Sequence, residues 1–288
     1  MRAVRRLTPV PLATLLSVGA PAKATHAVGG PDVDNCLLSR RTVLRMAFLG
    51  AGVVPLYPAL TFAQGRERQH QPKLELPLLA ENPTAVPVRV SVDHPMEPDH
   101  FIRSIEIVLD KDPVPHKGTY RFTPANGQAW VAFPMRSGAG GVVRASAECS
   151  QHGRFVATRE IRVASDGCAT LPDTIDKDRP GNPRLRLAAP PRLGEVIEVR
   201  TKIDHDSDTG LSLRGATYVR ERPEFFIRQI RVYFERELIS EFRLTPAVSP
   251  NPLIRFPLKL TRAGTLRVVF VNNEGRQWEV AEAIHPGG

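Results

Sequence analysis

Phe101-Ile102-Arg103-Ser104-Ile105 returns further along the chain as Phe226-Ile227-Arg228-Gln229-Ile230. The echo does not stand alone. Arg121-Phe122-Thr123-Pro124-Ala125 is matched by Arg243-Leu244-Thr245-Pro246-Ala247, and Phe133-Pro134 by Phe256-Pro257. Val143-Arg144-Ala145 is matched by Leu266-Arg267-Val268, and Val92-Asp93-His94 more loosely by Ile203-Asp204-His205. Matches in one order at similar offsets imply two copies of a domain of about 100 residues, a pair and not a solenoid.

Each copy reads as strands. Pro87-Val88-Arg89-Val90-Ser91-Val92 and Ser104-Ile105-Glu106-Ile107-Val108-Leu109 alternate apolar with polar, the period of a half-buried strand. Val143, Ala145, Ala147 and Cys149 fall on one phase of their run, and Arg144, Ser146 and Glu148 on the other. Val196-Ile197-Glu198-Val199-Arg200 and Leu266-Arg267-Val268-Val269-Phe270 repeat the pattern in the second copy. Turn formers separate the runs at Ala125-Asn126-Gly127, Arg262-Ala263-Gly264 and Asn272-Asn273-Glu274-Gly275. With 27 prolines, 21 glycines and no helix-period segment between strands, the expected fold is all-β: two immunoglobulin-like antiparallel β-sandwich domains in tandem.

Composition narrows the classes further. The chain has 288 residues, 42% apolar and 24% charged, which excludes wholesale disorder. No run approaches the roughly 20 apolar residues of a membrane-spanning helix. The net charge of +9 invites a nucleic-acid partner. However, Arg2, Arg5, Arg6, Lys23, Arg40, Arg41 and Arg45 lie in the first segment, and elsewhere charges alternate, as in Glu235-Arg236-Glu237. Without a recognition helix or stacking aromatics, no nucleic acid is expected as a partner.

Ser39-Arg40-Arg41-Thr42-Val43-Leu44-Arg45 precedes a Gly- and Ala-rich apolar run, Met46 to Tyr57, and then Thr61-Phe62-Ala63. This pattern resembles a twin-arginine export signal, read by a translocase that moves folded proteins. It implies a periplasmic protein cleaved near Ala63, with Cys36 lost and no membrane insertion afterwards. Val43 stands where an aromatic is common, and the residues before Ser39 carry a second, weaker signal-like pattern from Arg5-Arg6 to Ala24.

Three cysteines cannot build a disulfide framework or a four-cysteine zinc site. Cys149 reads as a small core residue of its strand. Cys168 lies in a polar stretch from Ala164 to Pro183 with few large apolar residues. Five residues past Val163, its thiol can swing roughly 17 Å from its anchor, which suits a carried group. A Cys149–Cys168 disulfide is the alternative. His94, His100, His116 and His152 have no metal-ligand spacing along the chain, so no metal and no cofactor are expected. No nucleophile elbow, phosphate loop or dinucleotide fingerprint occurs, so no enzyme is expected either.

These residues together resemble a fused SoxYZ sulfur carrier. Asn82 to Val88, Pro95-Met96, Asp99 to Ile105 and Phe122 to Gly127 resemble the SoxY half. Gly194 to Thr201, Leu244 to Pro252 and Ala263 to Leu266 resemble the SoxZ half. The resemblance implies that Cys168 is the substrate-attachment residue, on which partner enzymes (a haem-containing loading enzyme and a hydrolase) process thiosulfate-derived groups. The family's Gly-Gly-Cys-Gly-Gly arm is reduced here to Asp166-Gly167-Cys168-Ala169-Thr170, and the loop after His205 is rewritten. The expected divisions are 1–63 signal, 74–165 SoxY-like sandwich, 166–183 carrier arm and 184–285 SoxZ-like sandwich. The alternative function is a non-catalytic periplasmic adaptor of a quinoprotein or other dehydrogenase system.

Overall fold

The computed structural model describes residues 69–164 and 175–287. The expected export signal and Cys168 lie outside them. The first repeat supplies β1 (Pro72–Glu75), β2 (Leu79–Ala80), β3 (Val86–Val92), β4 (Ile102–Leu109), β5 (His116–Phe122), β6 (Ala129–Met135), β7 (Gly141–Cys149) and β8 (Gly153–Val163). The second supplies β9 (Arg184–Leu187), β10 (Val196–Lys202), β11 (Leu211–Arg214), β12 (Thr217–Arg220), β13 (Ile227–Phe234), β14 (Glu237–Arg243), β15 (Leu253–Lys259), β16 (Gly264–Asn272) and β17 (Gln277–Ile284). The protein is all-β and immunoglobulin-like, as the alternating runs predict. Among the described residues, no helix is long and apolar enough to cross a membrane.

The repeats are more than neighbours. One six-stranded sheet runs β1-β3-β6-β15-β10-β9, and one nine-stranded sheet runs β17-β16-β13-β14-β5-β4-β7-β8-β2. Both sheets cross from one repeat into the other, at β6–β15 and at β5–β14. A single apolar core follows, with Ile105, Tyr120, Val131 and Val143 of the first repeat and Ile230, Phe242, Phe256 and Val268 of the second all at 0% exposure. Burial alternates along β3 and β13, as a sheet with one solvated face requires.

The turn foreseen at Ala125-Asn126-Gly127 is a 3-10 turn, Pro124–Asn126, ended by Gly127 at φ 70°. That left-handed conformation favours glycine. Asn126 is fully buried there, and its amide donates to Ser240 Oγ (2.9 Å) and Pro257 O (2.8 Å) of the other repeat. The rewritten loop after His205 leads into a β11–β12 hairpin that exposes Leu213 and Val219.

The strand registers confirm the repeat at single-residue level. Ile102 pairs with Cys149, and a bulge follows before Ser104; Ile227 pairs with Asn272, and a bulge follows before Gln229. Cys149 and Asn272 are therefore equivalent positions.

Candidate metal centre

Four histidines and a cysteine converge where β1, β3, β4 and the β7–β8 turn meet. His70 lies just before β1, His94 just after β3, and His100 just before β4. Cys149 is the last residue of β7, and His152 is in the turn to β8. Antiparallel pairing of β1 with β3 and of β4 with β7 brings these chain ends together.

The nitrogens form a closed ring. His94 Nε2 lies 3.0 Å from His70 Nε2 and 3.0 Å from His100 Nε2. His152 Nδ1 lies 3.1 Å from each of the same two atoms. Cys149 Sγ is 3.6 Å from both His94 Nε2 and His152 Nδ1. Successive rings stand edge to face, with interplanar angles of 67°, 83°, 75° and 78° around the circuit. Each ring nitrogen has one in-plane site, either a proton or a lone pair. Hydrogen bonding around this ring needs every proton and lone pair to be shared two ways. A cation at the centre takes one lone pair from each nitrogen, with the ring protons on the outward nitrogens.

Neighbouring groups hold the ring in place. His94 Nδ1 donates to Pro95 O at 2.5 Å, which leaves Nε2 with its lone pair toward the ring. Such a second bond fixes tautomer and orientation in metal-binding histidines. Burial pushes the His94 pKa down to about 4, and the other three imidazoles push it the same way. His70 stacks on Phe155, with centroids 4.6 Å apart. The backbone N–H of Gln151 points at Cys149 Sγ (3.5 Å), and Ser150 and Phe101 exchange backbone and side-chain bonds that pin the β7–β8 turn to the loop before β4. His70, His94 and Cys149 are buried, His100 is half-buried and His152 is exposed, so the centre is reachable from one side.

Histidines that show no metal-ligand spacing along the chain are thus brought together in space. Of the four histidines singled out, the fold unites His94, His100 and His152. It leaves His116 apart on β5, bonded to Thr119 Oγ1 at 3.1 Å. His70, before the first expected domain at residue 74, was missed. Cys149 does occupy the inward phase of β7, but its thiol faces imidazoles as well as core. The expected attachment residue, Cys168, lies outside the described residues.

Fold and site together define an immunoglobulin-like double sandwich with a histidine–cysteine donor set in its first half. Family comparison takes this further. The model of the sulfur oxidation protein SoxY matches residues 60–168, and that of the sulphur oxidation protein SoxZ matches residues 185–282. The chain belongs to the SoxYZ family as a fusion of the two subunits, a family of carriers that work with other Sox proteins and sulfur species in sulfur oxidation. No curated protein matches the chain.

Solved structures share parts of it. A superoxide reductase (neelaredoxin) from Ignicoccus hospitalis is 33% identical over 35% of this chain and 86% of its own, with a TM-score of 0.32. A superoxide reductase from Nanoarchaeum equitans is 19% identical over 33% of this chain and 94% of its own, with a TM-score of 0.28. Murine CEACAM1b is 14% identical over 75% of this chain and all of its own, with a TM-score of 0.22.

Proposed function

We propose that the protein is an exported covalent carrier that holds thiosulfate-derived sulfur on the Cys168 thiol for periplasmic partner enzymes. One observation supports this reading: the SoxY match runs over residues 60–168, so it reaches the residue to which the family resemblance assigns the arm cysteine's role. The stretch that holds it is anchored on both sides. Ala164 N–H donates to Ala80 O (3.2 Å), and Asp176 N–H donates to Asp206 Oδ2 (3.0 Å). Four residues past Ala164, Cys168 has a reach of about 14 Å from that anchor.

Loading joins the Cys168 thiolate to thiosulfate through a new S–S bond, and two electrons leave to a haem-containing loading enzyme. Hydrolysis by a second partner then releases sulfate and leaves a persulfide on Cys168. The twin-arginine pattern at Arg40-Arg41 supports delivery of the folded chain to the compartment where such partners work.

The test is intact-mass spectrometry, without reductant, on protein from its native host. Masses raised by sulfur or thiosulfate units, reversed by reductant and absent in Cys168→Ser, are the expected result. A single unmodified mass, or adducts that survive Cys168→Ser, overturns the carrier reading and leaves the adaptor.

A further inference from the structure

We propose that the same chain is also a metalloprotein, in which His70, His94, His100, His152 and Cys149 hold one iron ion with a coordination position open to a small anionic ligand. The ring dimensions fit an ion. Donors at right angles about 2.1 Å from a metal stand about 3.0 Å apart, and the four ring edges are 3.0–3.1 Å. The sulfur stands farther off, at 3.6 Å from His94 Nε2 and from His152 Nδ1; a thiolate bonded at about 2.3 Å and at right angles to those nitrogens would stand about 3.1 Å from them, so ion binding draws it in by about 0.5 Å.

The donor set selects the ion. Structural zinc takes four ligands in a tetrahedron; here His94 Nε2, 3.0 Å from two of the ring nitrogens and 3.6 Å from the thiol, adds a fifth donor to the group of His70, His100, Cys149 and His152. A copper site with thiolate uses two histidines and a weak axial ligand, in trigonal form. Four nitrogens with a thiolate is instead the set that serves iron in thiolate-ligated haem. Six-coordinate iron with five protein donors keeps one position free, and the exposure of His152 leaves the site accessible to a ligand from solvent.

The second repeat is an internal control that says the fold does not need these side chains. His205 keeps the turn of His94, with Nδ1 donating to the next carbonyl, Asp206 O, at 2.5 Å. Every other donor is gone. Phe225 stands where His100 does and stacks on His205 (4.5 Å), Asn272 replaces Cys149, and Gly275 replaces His152. Phe155, paired with Ala147, stacks on His70; its counterpart Trp278, paired with Phe270, packs on Gly181, where a Cβ would lie 2.5 Å from Trp278 Nε1. The same sandwich end closes with aromatics in one repeat and with five metal donors in the other. Packing alone therefore does not account for the donors.

The full chain, stripped by chelator and reconstituted anaerobically with Fe2+, should keep one iron per chain through gel filtration. One-electron oxidation with ferricyanide should raise a visible sulfur-to-iron charge-transfer band, and azide should shift it by entering the open position. Cys149→Ser should remove the band, and His152→Ala should weaken iron binding by about tenfold or more, on the scale seen when even outer-shell groups are lost. Cys168→Ser and His205→Gln should change neither, so failure here is separate from failure of the carrier reading. Iron that washes off overturns the proposal, as does iron retained equally by folded Cys149→Ser and His152→Ala. A tetrahedral Co2+ spectrum would also overturn it, in favour of a closed four-ligand site.

Discussion

Tyr120 and Phe242 hold the same position in the two repeats, and they are partners of each other across β5–β14, with rings 5.6 Å apart. Ala132 and Arg255 do the same across β6–β15. An element paired with its own copy marks a two-fold relation, as in an isologous dimer. The strand order of the nine-stranded sheet accordingly mirrors about this junction, and the β7–β8 and β16–β17 turns fall on opposite flanks. The fusion is a symmetric dimer on one chain whose two equivalent end-sites have diverged.

The Tyr120 hydroxyl sits in this junction at 0% exposure and has no hydrogen-bond partner among the described residues, and burial holds its pKa well above the usual tyrosine value. Phe242 fills the equivalent place without a hydroxyl. Tyr120→Phe should raise unfolding stability by about 1–2 kcal/mol, the cost of a buried unpaired polar group. Urea denaturation reads this directly. A loss of stability would mean that the hydroxyl is bonded in solution.

Because both sheets cross the junction, the connection between the repeats should not be needed to hold them together. A protease site placed between Asp173 and Thr174, once cut, should leave the two fragments co-eluting on gel filtration at the uncut volume. Phe242→Ala in the cut protein should release them, since large-to-small core changes of this kind cost about 3–5 kcal/mol. Fragments that separate without that change would refute the continuous core.

Lys117 and Asp112 form an ion pair at 2.7 Å with both side chains at 0% exposure. Asp112 also accepts from Gly138 N (2.7 Å) and Val114 N (3.0 Å), so it organises the β4–β5 turn. Lys117→Met should cost about 3–5 kcal/mol, because it removes the opposite charge from a buried carboxylate. Asp112→Asn added to it should recover part of that loss. A double-mutant cycle in guanidinium checks both, and an additive result would show that the charges do not couple.

The two cysteines expected in the exported chain should not pair. Cys149 lies opposite Gly153 at the start of β8, and Ala164 follows its end. Ten strand residues span about 33 Å, and Cys168 has about 14 Å of chain from Ala164. A non-reducing peptide map should contain no Cys149–Cys168 bridge within one chain; finding one would mean that β8 is not formed as described.

Repeats, strand phases and turns were legible because each rests on residues close in sequence. The Phe101 and Phe226 motifs even mark the bulged register that makes Cys149 and Asn272 equivalent. The donor set was not legible, because its members come from four separate places and only strand pairing joins them. Cys149 and His152, three apart, and His94 and His100, six apart, were the available local signals. Neither spacing means much until β4 is laid against β7. The β5–β14 and β6–β15 junctions were hidden for a related reason: a strand's alternation reports which face is buried and says nothing about which edge is paired.

His205 offers a pH test that is free of the five donors. Its ring is buried between Phe225 and Trp278, with Asn272 Nδ2 at 3.4 Å from Nε2, and Asp206, Arg179 and Arg276 are the charges that act on it. Burial, the largest influence, lowers its pKa below the usual histidine value, helped by the two arginines and opposed by Asp206. The folded state thus binds fewer protons than the unfolded one below about pH 6.5. The stabilising contribution is complete above that pH and is lost as pH falls toward the folded pKa, with a slope of at most about 1.4 kcal/mol per pH unit for one proton. Urea midpoints of metal-free protein at pH 7.5, 6.0 and 5.0 should fall with acid, and in His205→Gln they should fall less steeply. Equal slopes in the two proteins would show that His205 titrates alike in both states, and that its ring is hydrated where the fold places it among aromatics.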